Sequence, residues 1–169
     1  MTPCSLQECI DADMPRFFEL FSLGFGPEKY PYVEHVFPKH DTSEGRKIGG
    51  ERMLTLKHLD AQATWLKITE NPSEKMIACA KWNIYSNTIP PEFGLEGEYW
   101  DSQDEKEYAQ HLFAEYLVPR RKAIRDSGGN LVILDLLIVD PEYQRQGAGR
   151  MLVKWGTDVA DRMGVEVSL

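Results

Sequence analysis

The sequence is short of cations. Nineteen Lys and Arg stand against 27 Asp and Glu, giving a formal net charge of -8. A nucleic-acid partner calls for a basic stripe, and this balance argues against one. Cysteine is scarce and odd in number (Cys4, Cys9 and Cys79), and no pair has zinc-ligand spacing. The expectation is therefore reduced thiols in a cytoplasmic protein and no metal site. Long apolar runs are missing as well. No stretch approaches the roughly 20 apolar residues of a membrane helix. Met1 to Ile10 has no basic start leading into an apolar run, so neither a membrane span nor a signal peptide is expected. There is no internal repeat and no low-complexity tract.

What is present suffices for a core. The 169 residues are 42% hydrophobic, which predicts one folded domain over residues 1–169 rather than a disordered chain. Asp11-Ala12-Asp13-Met14-Pro15 reads as a helix start, with acids before a first-turn Pro. Phe17, Phe18, Phe21 and Phe25 follow at near-helical spacing, and Gly24 and Gly26 close the element. Residues 27–40 carry three prolines among aromatics and read as an ordered loop. A second helix is expected over about Thr42 to Asp60, against the weak propensity of Gly49-Gly50.

Ala63 to Thr69 and Lys75 to Tyr85 alternate as strands around a Pro-bearing turn, a hairpin pattern. Ser102 and Glu105 have capping-box spacing. Tyr108, Leu112, Phe113, Tyr116 and Leu117 continue that helix, which Pro119 is expected to kink. The cluster Arg120, Arg121, Lys122 and Arg125 reads as a solvated helix end. Leu131 to Val139 is apolar except for Asp135, the pattern of a strand covered on both faces. Arg150 to Met163 places Leu152, Trp155, Val159 and Met163 on one helical side, and Val165 to Leu169 starts a further strand. The class is α/β with a mixed sheet.

The segment richest in chemistry is the turn between that apolar strand and the following helix, Pro141-Glu142-Tyr143-Gln144-Arg145-Gln146-Gly147-Ala148-Gly149. A helix N-terminus offers unpaired N–H groups and partial positive charge. Glycines before it let a backbone approach an anion closely. The arrangement suits phosphate or pyrophosphate. A Walker A loop is excluded, because Arg150-Met151 stand where Lys-Ser or Lys-Thr belong. A dinucleotide fingerprint fails at its third glycine, which falls on Leu152.

Gln144-x-x-Gly147-x-Gly149 matches Q/R-x-x-G-x-G/A, and Leu134-x-x-Leu137-x-Val139-x-Pro141-x-Tyr143 leads into it. Over about Leu131 to Gly164 the chain resembles the GNAT superfamily of N-acetyltransferases; upstream it is similar in element order alone. The resemblance implies the GNAT acyl-CoA N-acyltransferase fold and transfer of acetyl from acetyl-CoA to a primary amine of a small molecule or a protein. It implies a CoA pyrophosphate on the loop backbone of Gln144, Arg145, Gln146, Gly147, Ala148, Gly149 and Arg150. It implies backbone pairing of the pantetheine arm with Leu137, Ile138 and Val139.

Asp135 sits where many members carry a Glu, and it is the candidate base; a loop or helix-end anchor is the competing reading. His35, His40, Tyr30, Tyr32 and Phe37 fall where members build the acceptor pocket, although ordinary loop packing explains each. Trp82 is read as core before channel, and His111 as helix surface. The resemblance also implies elements after Val165 to Leu169, a final helix and strands, which this sequence lacks. A shortened chain, a tail outside the sequence, or a second copy completing the sheet as a homodimer would each account for that. A non-catalytic CoA-binding module, an incomplete acetyltransferase and an unrelated α/β phosphate binder remain as alternatives.

Overall fold

The computed structural model describes residues 3–25 and 30–169. Gly26 and residues 27–29, read above as a helix end and loop, lie outside them. The strands are β1 (Cys4–Glu8), β2 (Ala63–Glu70), β3 (Met76–Tyr85), β4 (Leu131–Val139) and β5 (Glu166–Ser168). They form one sheet in the order β1-β2-β3-β4-β5. The first three pairings are antiparallel, and β4 pairs parallel to β5. The helices are α1 (Met14–Gly24), α2 (Pro31–Val36), α3 (Ser43–Leu59), α4 (Gln103–Asp126) and α5 (Ala148–Met163).

The faces of the sheet follow from the two-residue period of its strands. One face packs Cys79 and Ile138 against Met14, Phe17, Phe18 and Phe21 of α1 and Met53 of α3. The opposite face packs Ala78, Ala80, Trp82 and Val132 against Leu152, Val159 and Ala160 of α5. On the first face, Ile124 of α4 meets Tyr85, Leu131 and Ile133. The α1 aromatics predicted at helical spacing are thus core, and Trp82 is fully buried under α5, in line with packing and not with a channel.

Gly49 and Gly50 do not break α3, because tertiary packing requires them. A Cβ at Gly49 would stand 2.1 Å from the Phe18 ring, so only glycine lets α3 close on α1. Thr42 starts this helix by accepting from the Gly45 N–H at 3.0 Å. Ser102 caps α4 in the same way at 3.2 Å; Glu105 accepts at 3.1 Å from the N–H of Asp101, one residue before the cap, so the reciprocal half of the predicted capping box is displaced by one residue. The helix then continues through Pro119 to Asp126.

Two expectations are corrected. Pro31–Val36 is a short helix, started by a proline at its first turn where no N–H is needed, instead of loop. Cys4–Glu8 is an edge strand on β2, which the sequence reading passed over because so short an edge shows little alternation. The expectation of a fold lacking its last elements finds no support among the described residues, where β4, α5 and β5 are all formed.

Candidate active site

β4 carries an irregularity that organises the site. Lys81 of β3 pairs with Leu136, whereas the next residue, Trp82, pairs with Leu134. Asp135 is therefore the extra residue of a β-bulge, a device that bends a strand and re-aims side chains. On its other edge β4 pairs with β5 only through Leu131, Val132 and Ile133. Residues 134–139 consequently face an open edge, and the sequence candidates Leu137, Ile138 and Val139 lie along it. Ile138 packs into the α1 face, while Leu137 and Val139 turn toward α5.

The chain leaves β4 through Asp140, whose side chain is nearly buried and accepts from the Glu142 N–H at 3.1 Å. Arg16 of α1 fixes that carboxylate, donating Nη2 to Asp140 Oδ2 at 2.8 Å while bonding the Met76 carbonyl at 3.2 Å. The turn Pro141–Tyr143 follows, and then the loop. Arg145 has φ +63° and Gly147 has φ +94°, both left-handed, and Gly147 is the N-cap of α5. A left-handed residue just before a helix gathers successive N–H groups on one concave side. A cavity of about 540 Å³ lies there, lined by Leu137, Val139, Gln144, Arg145, Gly147, Ala148, Gly149 and Arg150. Gly149 faces β4, since a Cβ there would come 3.4 Å from Val139 Cγ2. Of the ten loop and strand candidates, Gln146 and Ile138 alone are off this lining. Helix dipole, first-turn N–H groups and a glycine turn converge on one hollow, an arrangement of partial positive charge.

Asp135 does not stand as an isolated buried carboxylate. Its Oδ2 accepts from Lys81 Nζ at 2.7 Å, and its Oδ1 is ion-paired to Arg120 Nη1. Lys81 Nζ also lies 3.0 Å from Asp60 Oδ2, and Asn83 Nδ2 donates to the same oxygen at 2.8 Å. Arg120 Nη2 donates to the Tyr85 hydroxyl at 2.9 Å. Burial pushes the Lys81 ammonium below its ordinary range, and Asp60 pulls against that shift. Burial would raise the Asp60 carboxyl, but Lys81 and Asn83 outweigh it and hold it low.

The sequence reading missed Lys81, Asp60 and Arg120. Arg120, taken above for part of a solvated helix end, is mostly buried. A signal existed: Arg120 lies three residues after buried Leu117 and four before buried Ile124, on the same helix face. Lys81 sits within a strand buried at every position but one.

His40 is fully buried instead of lining an open pocket. Its Nδ1 is 2.8 Å from Ser22 Oγ, and its Nε2 is 3.4 Å from Glu34 Oε2. His35 and His111 are exposed, the latter as expected. Among the described residues no three His, Cys, Asp or Glu side chains converge as a metal-binding group. No described helix is long and apolar enough to cross a membrane.

A mixed sheet with a bulged β4, parted from β5 above a glycine-capped α5, frames the site. Residues 113–169 match the Acetyltransferase (GNAT) family, and the α/β mixed-sheet fold is GNAT-like. The fold is similar to a solved histone acetyltransferase HPA2 and related acetyltransferase from Corynebacterium glutamicum (TM-score 0.56, 12% identity, covering 95% of this chain and 72% of that one). It is also similar to an aminoglycoside antibiotic 6'-N-acetyltransferase from Acinetobacter baumannii (0.52, 13%, 99% and 80%). A third is glucosamine-6-phosphate N-acetyltransferase from Arabidopsis thaliana (0.51, 15%, 99% and 81%). At these identities the likeness is one of fold. No curated protein matches the sequence.

Proposed function

We propose that residues 1–169 act as an N-acetyltransferase domain that moves acetyl from acetyl-CoA to a primary amine. The observation that carries this reading is the open β4 edge ending in the left-handed Gly147 at the α5 N-terminus. The N–H groups of Ala148, Gly149 and Arg150 are the first of α5 and would hold the pyrophosphate; exposed Arg145 and Arg150 would add charge. Backbone groups of Leu137, Ile138 and Val139 would pair with the pantetheine arm. An N–H near Val139 would donate to the thioester oxygen as charge builds on it. Acetyl-CoA supplies the activated acyl group; the chain orients it and withholds water.

For Asp135 the geometry supports positioning over proton abstraction. Lys81 and Arg120 both stabilise its charged form, which opposes taking up a proton. Its ion pairs tie the bulge to β3 and α4, and so set the line of the β4 edge. The acceptor is an amine whose pocket the 30–37 segment and the 86–101 segment would shape.

Calorimetric titration with acetyl-CoA tests the reading, with the melting temperature followed alongside. Saturable micromolar binding and an upward shift are expected, since a ligand at about 100 times its Kd adds about 2.7 kcal/mol. Absence of binding by a cooperatively folded sample would overturn it. CoA release in the presence of amines then separates an enzyme from a CoA-binding module.

A further inference from the structure

Among the described residues, Arg52 of α3 has no carboxylate counter-ion. Its guanidinium lies over the Phe37 ring at 4.2 Å and the Tyr99 ring at 4.4 Å, with Trp100 at 5.9 Å. Nη1 donates to the Val36 carbonyl at 2.8 Å. Among the described residues, the ionisable groups that act on its charge are the Tyr99 and Tyr32 phenols, and no carboxylate is one of them. Burial pushes the guanidinium down to about 10, so it is still charged at neutral pH. Among the described residues, Nε and Nη2 make no hydrogen bond, and neither is a fully buried unpaired atom.

A charge withdrawn from water needs a partner, and the chain has 27 acids from which to supply one. The rings against Arg52 are also fixed in place. Gly97 has φ +112°, and a Cβ on it would stand 2.2 Å from the Tyr99 ring, so glycine is what lets this ring fold over Arg52. Trp100 Nε1 donates to the His35 carbonyl at 2.7 Å, and Lys39 holds Asp101 at 2.9 Å. These bonds clip the segment before α4 onto α2 and its following turn. The result is a guanidinium whose ring contacts limit its rotation and whose Nε and Nη2 donors are left unused among the described residues, the form suited to bidentate anion recognition.

We propose that Arg52, held against Phe37 and Tyr99, is a binding site for the carboxylate of a small molecule. A carboxylate fits because two coplanar oxygens match the two free donors of the fork. A phosphate dianion calls for more donors or a second cation than this single guanidinium offers. The walls are made by the two segments that would shape the acceptor pocket. An acceptor bearing both amine and carboxylate is therefore the substrate class this site would serve, an extension that rests on the acetyl-transfer reading. The binding claim itself does not.

The test uses the whole chain with benzoate, benzamide and inorganic phosphate at one pH and ionic strength. Melting temperature and the ¹⁵N–¹H signal of the arginine Nε groups are the readouts. Benzoate is expected to bind saturably, raise the melting temperature and move one Nε signal, with benzamide weaker by about tenfold or more. Arg52→Gln is expected to lower benzoate affinity about tenfold while leaving acetyl-CoA affinity unchanged, and Arg52→Lys to fall between. Equal effects of benzoate and benzamide, tighter binding of phosphate, or benzoate affinity retained in a folded Arg52→Gln variant would each overturn the proposal. If Arg52→Gln does not fold, the benzoate–benzamide contrast on the native chain decides. The acetyl-CoA titration is independent of all three probes, so failure at Arg52 and failure at the Gly147 loop are told apart.

Discussion

Lys81 Nζ lies 2.7 Å from Asp135 Oδ2, at the bulge where β4 shifts its register on β3. This contact changes what the one acid in an apolar strand can do. Its charge is matched by Lys81 and Arg120, so it is part of the frame before any substrate arrives.

Asp135→Asn should therefore cost stability as well as turnover. Removing one member of a buried ion pair costs about 3–5 kcal/mol, and the lower end is expected because Lys81 keeps Asp60. Urea unfolding would measure it. Turnover should fall more than acetyl-CoA affinity, because the cofactor loop lies beyond the bulge. A pH–rate profile that keeps its shape in this variant would support positioning; loss of one limb would restore Asp135 as the base.

Gly147 and Gly149 should respond oppositely to alanine. Gly147 has φ +94°, a conformation that costs an L-residue roughly 1–2 kcal/mol, and its backbone would contact the pyrophosphate. At Gly149 a Cβ would meet Val139 at 3.4 Å, close to ordinary contact. Gly147→Ala is expected to weaken acetyl-CoA binding at least several-fold, and Gly147→Trp to abolish it with the fold kept. Gly149→Ala should retain binding. Calorimetry on the variants decides, and tight binding by folded Gly147→Trp would remove the loop from the site.

Gly156 sets helix propensity against packing. Alanine is favoured over glycine inside a helix by about 1 kcal/mol. Yet a Cβ at Gly156 would lie 2.3 Å from Trp82 Cζ2, and the indole cannot yield because it is fully buried, with Nε1 donating to the Leu152 carbonyl at 3.2 Å. Overpacking costs about 1–3 kcal/mol, so sterics should win and Gly156→Ala should lower the denaturant midpoint. A rise in the midpoint would show that α5 slides on the sheet.

Alkaline pH should destabilise the fold through its thiols. Burial, followed by the nearby Asp13 charge, pushes the Cys9 thiol from 9.0 to about 12. Burial likewise raises Cys79, which is fully enclosed. A raised acid favours its protonated form in the folded state. The contribution is thus complete below about pH 9 and is lost as pH climbs toward about 12. The melting temperature of Cys9→Ala should fall less steeply over that interval than that of the native chain. Parallel slopes would place Cys9 in water.

Local physics made much of this legible. The Phe spacing of α1, the Ser102 cap of α4, the hairpin of β2 and β3, and the turn into α5 each depend on residues within one or two turns of one another. The glycine spacing from Gln144 to Gly149 was readable for the same reason, because a left-handed N-cap is a local demand on the backbone. α2 and β1 were not legible, since six residues and five give too few periods to show a pattern. Gly49 misled in the other direction: its weak helix propensity gave way to the Phe18 ring that needs its missing side chain.

The amino-acid order alone determined most element types, the glycine turn into α5 and the presence of one acid in an apolar strand, because each is set by neighbours in sequence. Only the tertiary structure decided what those residues face. Asp135 and Lys81 lie 54 positions apart, and Asp135 and Arg120 lie 15 apart on a different element. Nothing in the spacing of either pair fixes a contact; the bulge in β4 and the packing of α4 do. Arg52 owes its aromatic hollow to Phe37 on one side and Tyr99 on the other, brought together by a fold in which Lys39 reaches Asp101 across 62 residues. Long-range pairing of charge and ring is a property of the assembled layers, and it is there that the chain sets which ligands it can hold.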